Sequence, residues 1–133
     1  MVVDGPEQFW AYVDRLEAAA RAGDQHARLV LKYLIDELAV LQELDRPPSQ
    51  AEENADLKWV RQSRRYPLWR VSHPFDEDVA VRLICWFPPD SATVVVALFS
   101  GDKKTIGDVW YGSAASRADP LIDQWKREKE QQT

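Results

Sequence analysis

No disulfide can form within this chain, because Cys85 is its only cysteine. The thiol lies inside the apolar run 79–87, where a free cysteine behaves as a small core hydrophobe. No stretch approaches the about 18 apolar residues that a membrane-spanning helix needs. Asp4 and Glu7 stand where a secretory leader would carry positive charge. The expected compartment is the cytoplasm, with no membrane partner. Histidine is scarce as well: His26 and His73 are far apart and belong to no spaced ligand set, so neither a metal nor a cofactor is expected.

What remains is ordinary material for one core. At 133 residues with 45% hydrophobic and 29% charged content, the chain fits a single domain, 1–133, and its six tryptophans supply bulky core side chains. The net charge of -5 argues against a nucleic-acid partner when taken whole. Its distribution argues otherwise. Residues 1–56 carry 12 acidic and 5 basic residues, residues 57–133 carry 10 and 12, and Lys58, Arg61, Arg64, Arg65 and Arg70 open that second half. Local potential, not total charge, decides where an anion docks, so these are candidate RNA-binding residues; the plainer reading is a solvated charged face.

Periodicity divides the chain at Pro47-Pro48. Before it, Asp4-Gly5-Pro6 reads as a helix start with Asp4 as a cap, and Phe9, Trp10, Val13 and Leu16 fall at helical spacing over 6–22. Gly23 closes that helix and Asp24 caps a second, whose apolar stripe is read as Leu31, Leu34, Ile35, Leu38 and Leu41 with Lys32, Glu37 and Glu43 outside it. The result is a helical hairpin over 6–44. Ser49 with Glu52 suggests a capped short turn. Beyond it, the runs 68–73, 79–87 and 92–99 are strand-like and separated by turn sequences, which predicts a three-strand antiparallel meander. Alternation sets Val79, Val81, Leu83, Cys85 and Phe87 on one face and Ala80, Arg82, Ile84 and Trp86 on the other. Helices are expected at 109–117 and 120–130, the second opened by Asp119-Pro120. The fold class is α+β: a helical hairpin (6–44) on a small antiparallel sheet (within 57–118), followed by a C-terminal helix and tail (119–133).

Three stretches carry a resemblance. Leu68-Trp69-Arg70-Val71-Ser72, Ala80-Val81-Arg82-Leu83-Ile84-Cys85-Trp86 and Ala97-Leu98-Phe99-Ser100-Gly101-Asp102-Lys103-Lys104, with Tyr111 and Ala114 beyond, resemble in order and spacing the RelE/ParE superfamily of bacterial toxins, on its HigB-like or phage-derived branch. The likeness spans about residues 28–118. The first strand usual before the hairpin is absent, or reduced to Met1-Val2-Val3, and the acidic first half also departs from the family. The resemblance implies a RelE-like fold and the toxin of a type II toxin–antitoxin system: an endoribonuclease that cuts mRNA on the ribosome, partnered by a small helix-turn-helix antitoxin. The alternatives it leaves are a ParE-like gyrase inhibitor and a non-catalytic phage or host interaction protein.

Metal-free RNA cleavage by the ribose 2'-hydroxyl needs a proton acceptor, positive charge over the developing phosphorane and help for the leaving oxygen. By resemblance, Arg82 matches the arginine that contacts the scissile phosphate, Lys103 or Lys104 the basic residue after the third strand, and Tyr111 the aromatic near the helix start; Arg70 keeps a supporting role. Asp108 and His73 are candidates for proton transfer. Each has a plainer alternative. Arg82, alone on an apolar strand, needs an anion, which could be Asp108 or Glu77 instead of phosphate. Lys103 and Lys104 could be solvated, His73 bonded to backbone, and Tyr111 packed on the sheet. The geometric expectation is one concave face lined by Arg70, Arg82, Lys103 or Lys104, and Tyr111.

Overall fold

The computed structural model describes residues 1–61, 65–72, 79, 81–100 and 108–131, with 72, 98–100 and 108–112 described by backbone alone. Along the chain come β1 (Val2–Asp4), α1 (Glu7–Arg21), α2 (Gln25–Gln42), a 3-10 turn (Gln50–Glu52), β2 (Leu57–Trp59), β3 (Leu68–Ser72), β4 (Arg82–Trp86), β5 (Thr93–Ser100) and α3 (Asp108–Gln131). The architecture is α+β. Among the described residues, three α-helices pack on a five-stranded sheet of order β1-β5-β4-β3-β2. The expected meander is its middle, β3-β4-β5, paired antiparallel throughout. Two three-residue strands, too short to show a period, extend it: β2 pairs antiparallel with β3, and β1 runs parallel to β5, so the sheet is mixed, not purely antiparallel.

The hairpin turn follows from two residues. Gly23 sits at φ 99°, a left-handed conformation that costs an L side chain its Cβ clearance. It lets Gly23 N–H reach Ala20 O and Asp24 N–H reach Ala19 O, both at 3.1 Å, closing α1. Asp24 then caps α2 by accepting Ala27 N–H at 3.1 Å. At the other end of α1 the expectation fails. Pro6 takes the N-cap place without a side-chain bond, and Asp4 is drawn elsewhere. Its carboxylate accepts from Gly5 N–H and both indole N–H groups of Trp10 and Trp125, and it pairs with Lys129 at 2.9 Å. Gly5 has to be small here, since a Cβ would lie 2.9 Å from Val96 O and from the Phe9 ring.

Alternation sorts the core into two layers. Trp69, Val71, Val79, Val81, Leu83, Cys85, Val94 and Val96 pack with Phe9, Val13, Leu16, Val30, Leu34 and Leu41 of the hairpin. Leu68, Ile84, Trp86, Val95 and Ala97 point the other way and meet Ala114, Ala118 and Ile122 of α3. The sheet is thus covered on both faces. The stripe on α2 is rotated from the expected one: Ala27, Val30, Tyr33, Leu34, Glu37 and Leu41 are buried, while Ile35 is 56% exposed.

One continuous helix replaces the two expected after residue 108, with Pro120 inside it. A mid-helix proline removes one hydrogen bond and crowds the preceding turn, at a cost of about 3 kcal/mol. Burial on both sides of it, Ala114 and Ala118 before and Ile122 after, holds the axis together. No helix among the described residues is long and apolar enough to cross a membrane.

Candidate functional site

Strand register sets the positions of the basic residues. Lys58 lies directly opposite Arg70, Arg70 lies opposite Ile84, and Arg82, the first residue of β4, lies opposite Ser72 on one side and Ser100 on the other. Lys58, Arg61 and Arg70 line one hollow of about 440 Å³ with Trp59, Glu53, Asn54 and Ala55. Its wall is fixed locally. Asn54 Oδ1 accepts the N–H groups of Asp56 and Leu57 at 2.8 and 3.0 Å, and Glu53 Oε1 accepts Trp59 N–H at 2.9 Å. The remaining Glu53 oxygen stands 3.4 Å from Arg61 Nη2. Trp59 is braced edge-on against Trp69, ring centroids 5.3 Å apart.

Arg82 does not join that hollow. It is 7% exposed, and the only other buried charged residue described is Glu37 of α2, at 2%. Burial pushes the Glu37 carboxyl up to about 9, with the positive charge of Arg82 opposing the rise and Asp36 adding to it. At neutral pH Glu37 is therefore protonated. Neither of its carboxyl oxygens has a hydrogen-bond partner among the described residues. The expectation of an Arg82 on an open concave face is thus corrected: Val81 and Leu83 on either side of it pack in the hairpin core as alternation predicts, yet the Arg82 side chain is buried rather than open to solvent, and its charge is felt by Glu37.

Arg65 is also spoken for. It pairs with Asp123 of α3 through two bonds of 2.6 and 3.0 Å, while Tyr66 donates its hydroxyl to the same carboxylate. Those bonds, first from Arg65 and then from Tyr66, hold Asp123 below the usual carboxylate range. Arg65 thus locks the 65–67 segment onto α3. Arg64, His73, Lys103 and Lys104 lie outside the described residues, and Asp108 and Tyr111 are placed by backbone only, in the first turns of α3. Cys85 is fully buried, which pushes its thiol far up and leaves it an inert core group, as the apolar run implied.

Sequence reasoning missed Glu53, Trp59 and Glu37. Glu53 follows the 3-10 turn and Trp59 ends a strand too short to detect; Glu37 was legible in principle, since Val30, Leu34, Glu37 and Leu41 recur at helical spacing. No family model, no curated protein and no solved structure matches this chain.

Proposed function

We propose that this chain is a RelE-like toxin of the HigB branch, which cleaves ribosome-bound mRNA without a metal ion and is neutralised by a small helix-turn-helix antitoxin. The observation that carries the reading is the register at one end of the sheet. Arg70 and Arg82 occupy diagonal positions on neighbouring strands, and β5 ends at Ser100, the ladder partner of Arg82. Lys103 and Lys104 follow within four residues, and Tyr111 falls in the opening turns of α3. A first strand followed by a helical hairpin and then antiparallel strands is also the order the resemblance calls for; β1 supplies the strand that the sequence left in doubt. In this reading Arg82 and a lysine stabilise the phosphorane, and Tyr111, Asp108 or His73 handles protons.

Induction of the protein alone, followed by mapping of mRNA 5'-ends, tests the reading: cuts within translated codons that vanish when Lys103 and Lys104 are both changed to Gln are the expected result. Intact mRNA in arrested cells would overturn it, and relaxed plasmid DNA in those cells would turn the assignment to gyrase. One observation favours a second reading, a non-catalytic interaction protein of the same fold: a buried Arg82 beside Glu37 has a structural task of its own. Intact mRNA without arrest would select it.

A further inference from the structure

The charges on the outer face of α2 run against the helix's own polarity. A helix favours carboxylates at its N-terminus and cations at its C-terminus, where they answer the macrodipole. Beyond the Asp24 cap, α2 has no acid in its first turn and no base in its last. Its exposed cations, Arg28 and Lys32, fall in the N-terminal half, and its exposed carboxylates are Asp36 and, at the C-cap, Glu43. Arg28 and Lys32 are also like charges four residues apart, which weakens a helix further. Such an arrangement is a cost to the isolated helix and calls for a reason outside it.

The same face carries an apolar strip. Ile35 is 56% exposed, and the half-buried Leu31 and Leu38 lie one turn before and after it on the same side. One exposed isoleucine by itself needs no explanation. Here it sits at the centre of a pattern that reverses sign. Arg28 precedes Ile35 and Glu43 follows it at nearly equal reach, roughly 10 and 12 Å along the axis at about 1.5 Å per residue. Lys32 and Asp36 flank Ile35 more closely, again with opposite charge. At the basic end, Arg28 donates Nε–H to Ala20 O at 3.0 Å, which holds it at the rim of a hollow of about 460 Å³ lined by Glu17, Ala20, Arg21, Arg28 and Leu31.

We propose that the outer face of α2 is a self-complementary surface on which a second copy of this chain docks antiparallel, with Ile35 beside the two-fold axis. An isologous contact turns the helix end for end, so each residue before Ile35 meets one after it. Leu31 meets Leu38 of the second copy, Lys32 meets its Asp36, and its Glu43 reaches the hollow where Arg21 and Arg28 stand. The two macrodipoles then lie antiparallel, and each helix answers the misplaced charges of the other. The pairing is independent of the nuclease reading.

Sedimentation velocity of the full chain over a range of concentrations is expected to show a monomer–dimer equilibrium. Ile35→Asp places two carboxylates beside the axis at a position outside the core, and is expected to weaken self-association about tenfold or more. Arg28→Glu and Glu43→Arg each set like charges against one another at both ends of the contact and are expected to weaken it by a similar factor. Mixed together, these two chains regain both opposite-charge pairs and are expected to form a heterodimer, read by labelling one of them. Lys32→Glu mixed with Asp36→Lys repeats the exchange closer to the axis, so the test does not rest on Arg28, whose bond to Ala20 also serves the hairpin turn. Thermal melting confirms that each variant is folded. A parent chain that stays monomeric at every soluble concentration overturns the proposal and leaves the face to a different partner. Dimers unaffected by a folded Ile35→Asp, or mixtures that associate no better than their separate components, overturn it as well.

Discussion

Glu37 of α2 and Arg82 of β4 are the two buried charged residues described in this protein, and the charge of Arg82 is felt by the Glu37 carboxyl across the core. The pair does not behave as two ions. Desolvation outweighs the attraction, so the carboxyl stays neutral well above pH 7 and the arginine carries the charge.

A pH dependence of stability follows. The folded carboxyl holds its proton to about 9, whereas the unfolded one releases it near the ordinary glutamate value of 4.5. Below 4.5 both states are protonated and Glu37 costs nothing. As pH rises above that value the unfolded state gains by ionising, and stability falls, by about 3 kcal/mol at pH 7, until the loss saturates above about 9. Glu37→Gln removes the titration and is expected to be more stable than the parent at pH 7, with the gap closing toward pH 5. Urea unfolding at several pH values measures it; a parent whose stability rises from pH 5 to 8 in step with the variant would refute the assignment.

Arg82 has two tasks in the functional reading, and they can be separated. Removing a charge that acts in the transition state costs about 2 to 4 kcal/mol, a hundredfold or more in rate. Arg82→Lys keeps a cation in the core beside Glu37 but loses the planar fork that grips phosphate. It is expected to melt near the parent temperature while mRNA cleavage collapses. Full cleavage by a folded Arg82→Lys would remove the guanidinium from the mechanism.

Asp4 joins β1, α1 and α3 through Trp10, Trp125 and Lys129. Burial tends to raise its pKa, but the hydrogen bonds from Lys129, Gly5, Trp125 and Trp10 together bring it below the ordinary value. The stabilisation is therefore present above the unfolded pKa and lost as pH falls through the lowered folded one. Asp4→Asn is expected to cost about 1 to 2 kcal/mol at pH 7 and to differ little from the parent in strong acid. Chemical denaturation at both pH values is the check.

Pro120 interrupts the hydrogen bonding of α3 at an exposed position. Pro120→Ala returns the missing N–H and is expected to stabilise the protein by about 1 to 3 kcal/mol. A lower denaturation midpoint in the variant would mean that the packing of α3 on the sheet depends on the proline's bend.

Much of this protein was determined locally. Gly23 and Asp24 set the hairpin turn, Ser49 and Glu52 the short turn after it, and the alternation from Val79 to Trp86 divided β4 correctly between two cores, because each of these depends on residues a few positions apart. Tertiary structure decided the rest. Three-residue strands such as β1 and β2 exist only because neighbours offer them a ladder. Asp4 left its expected cap for Lys129 and Trp125, which arrive from the far end of the chain. Pro120 did not break α3, since burial against the sheet outweighs one lost hydrogen bond. The charges divided in the same way: sequence marked Lys58, Arg61, Arg65, Arg70 and Arg82 as basic, but only packing could send Arg65 to Asp123, bury Arg82 near Glu37, and leave Lys58, Arg61 and Arg70 around one hollow. Whether a cation meets solvent, a carboxylate or a ligand depends on partners distant in sequence, and no local pattern encodes that distance.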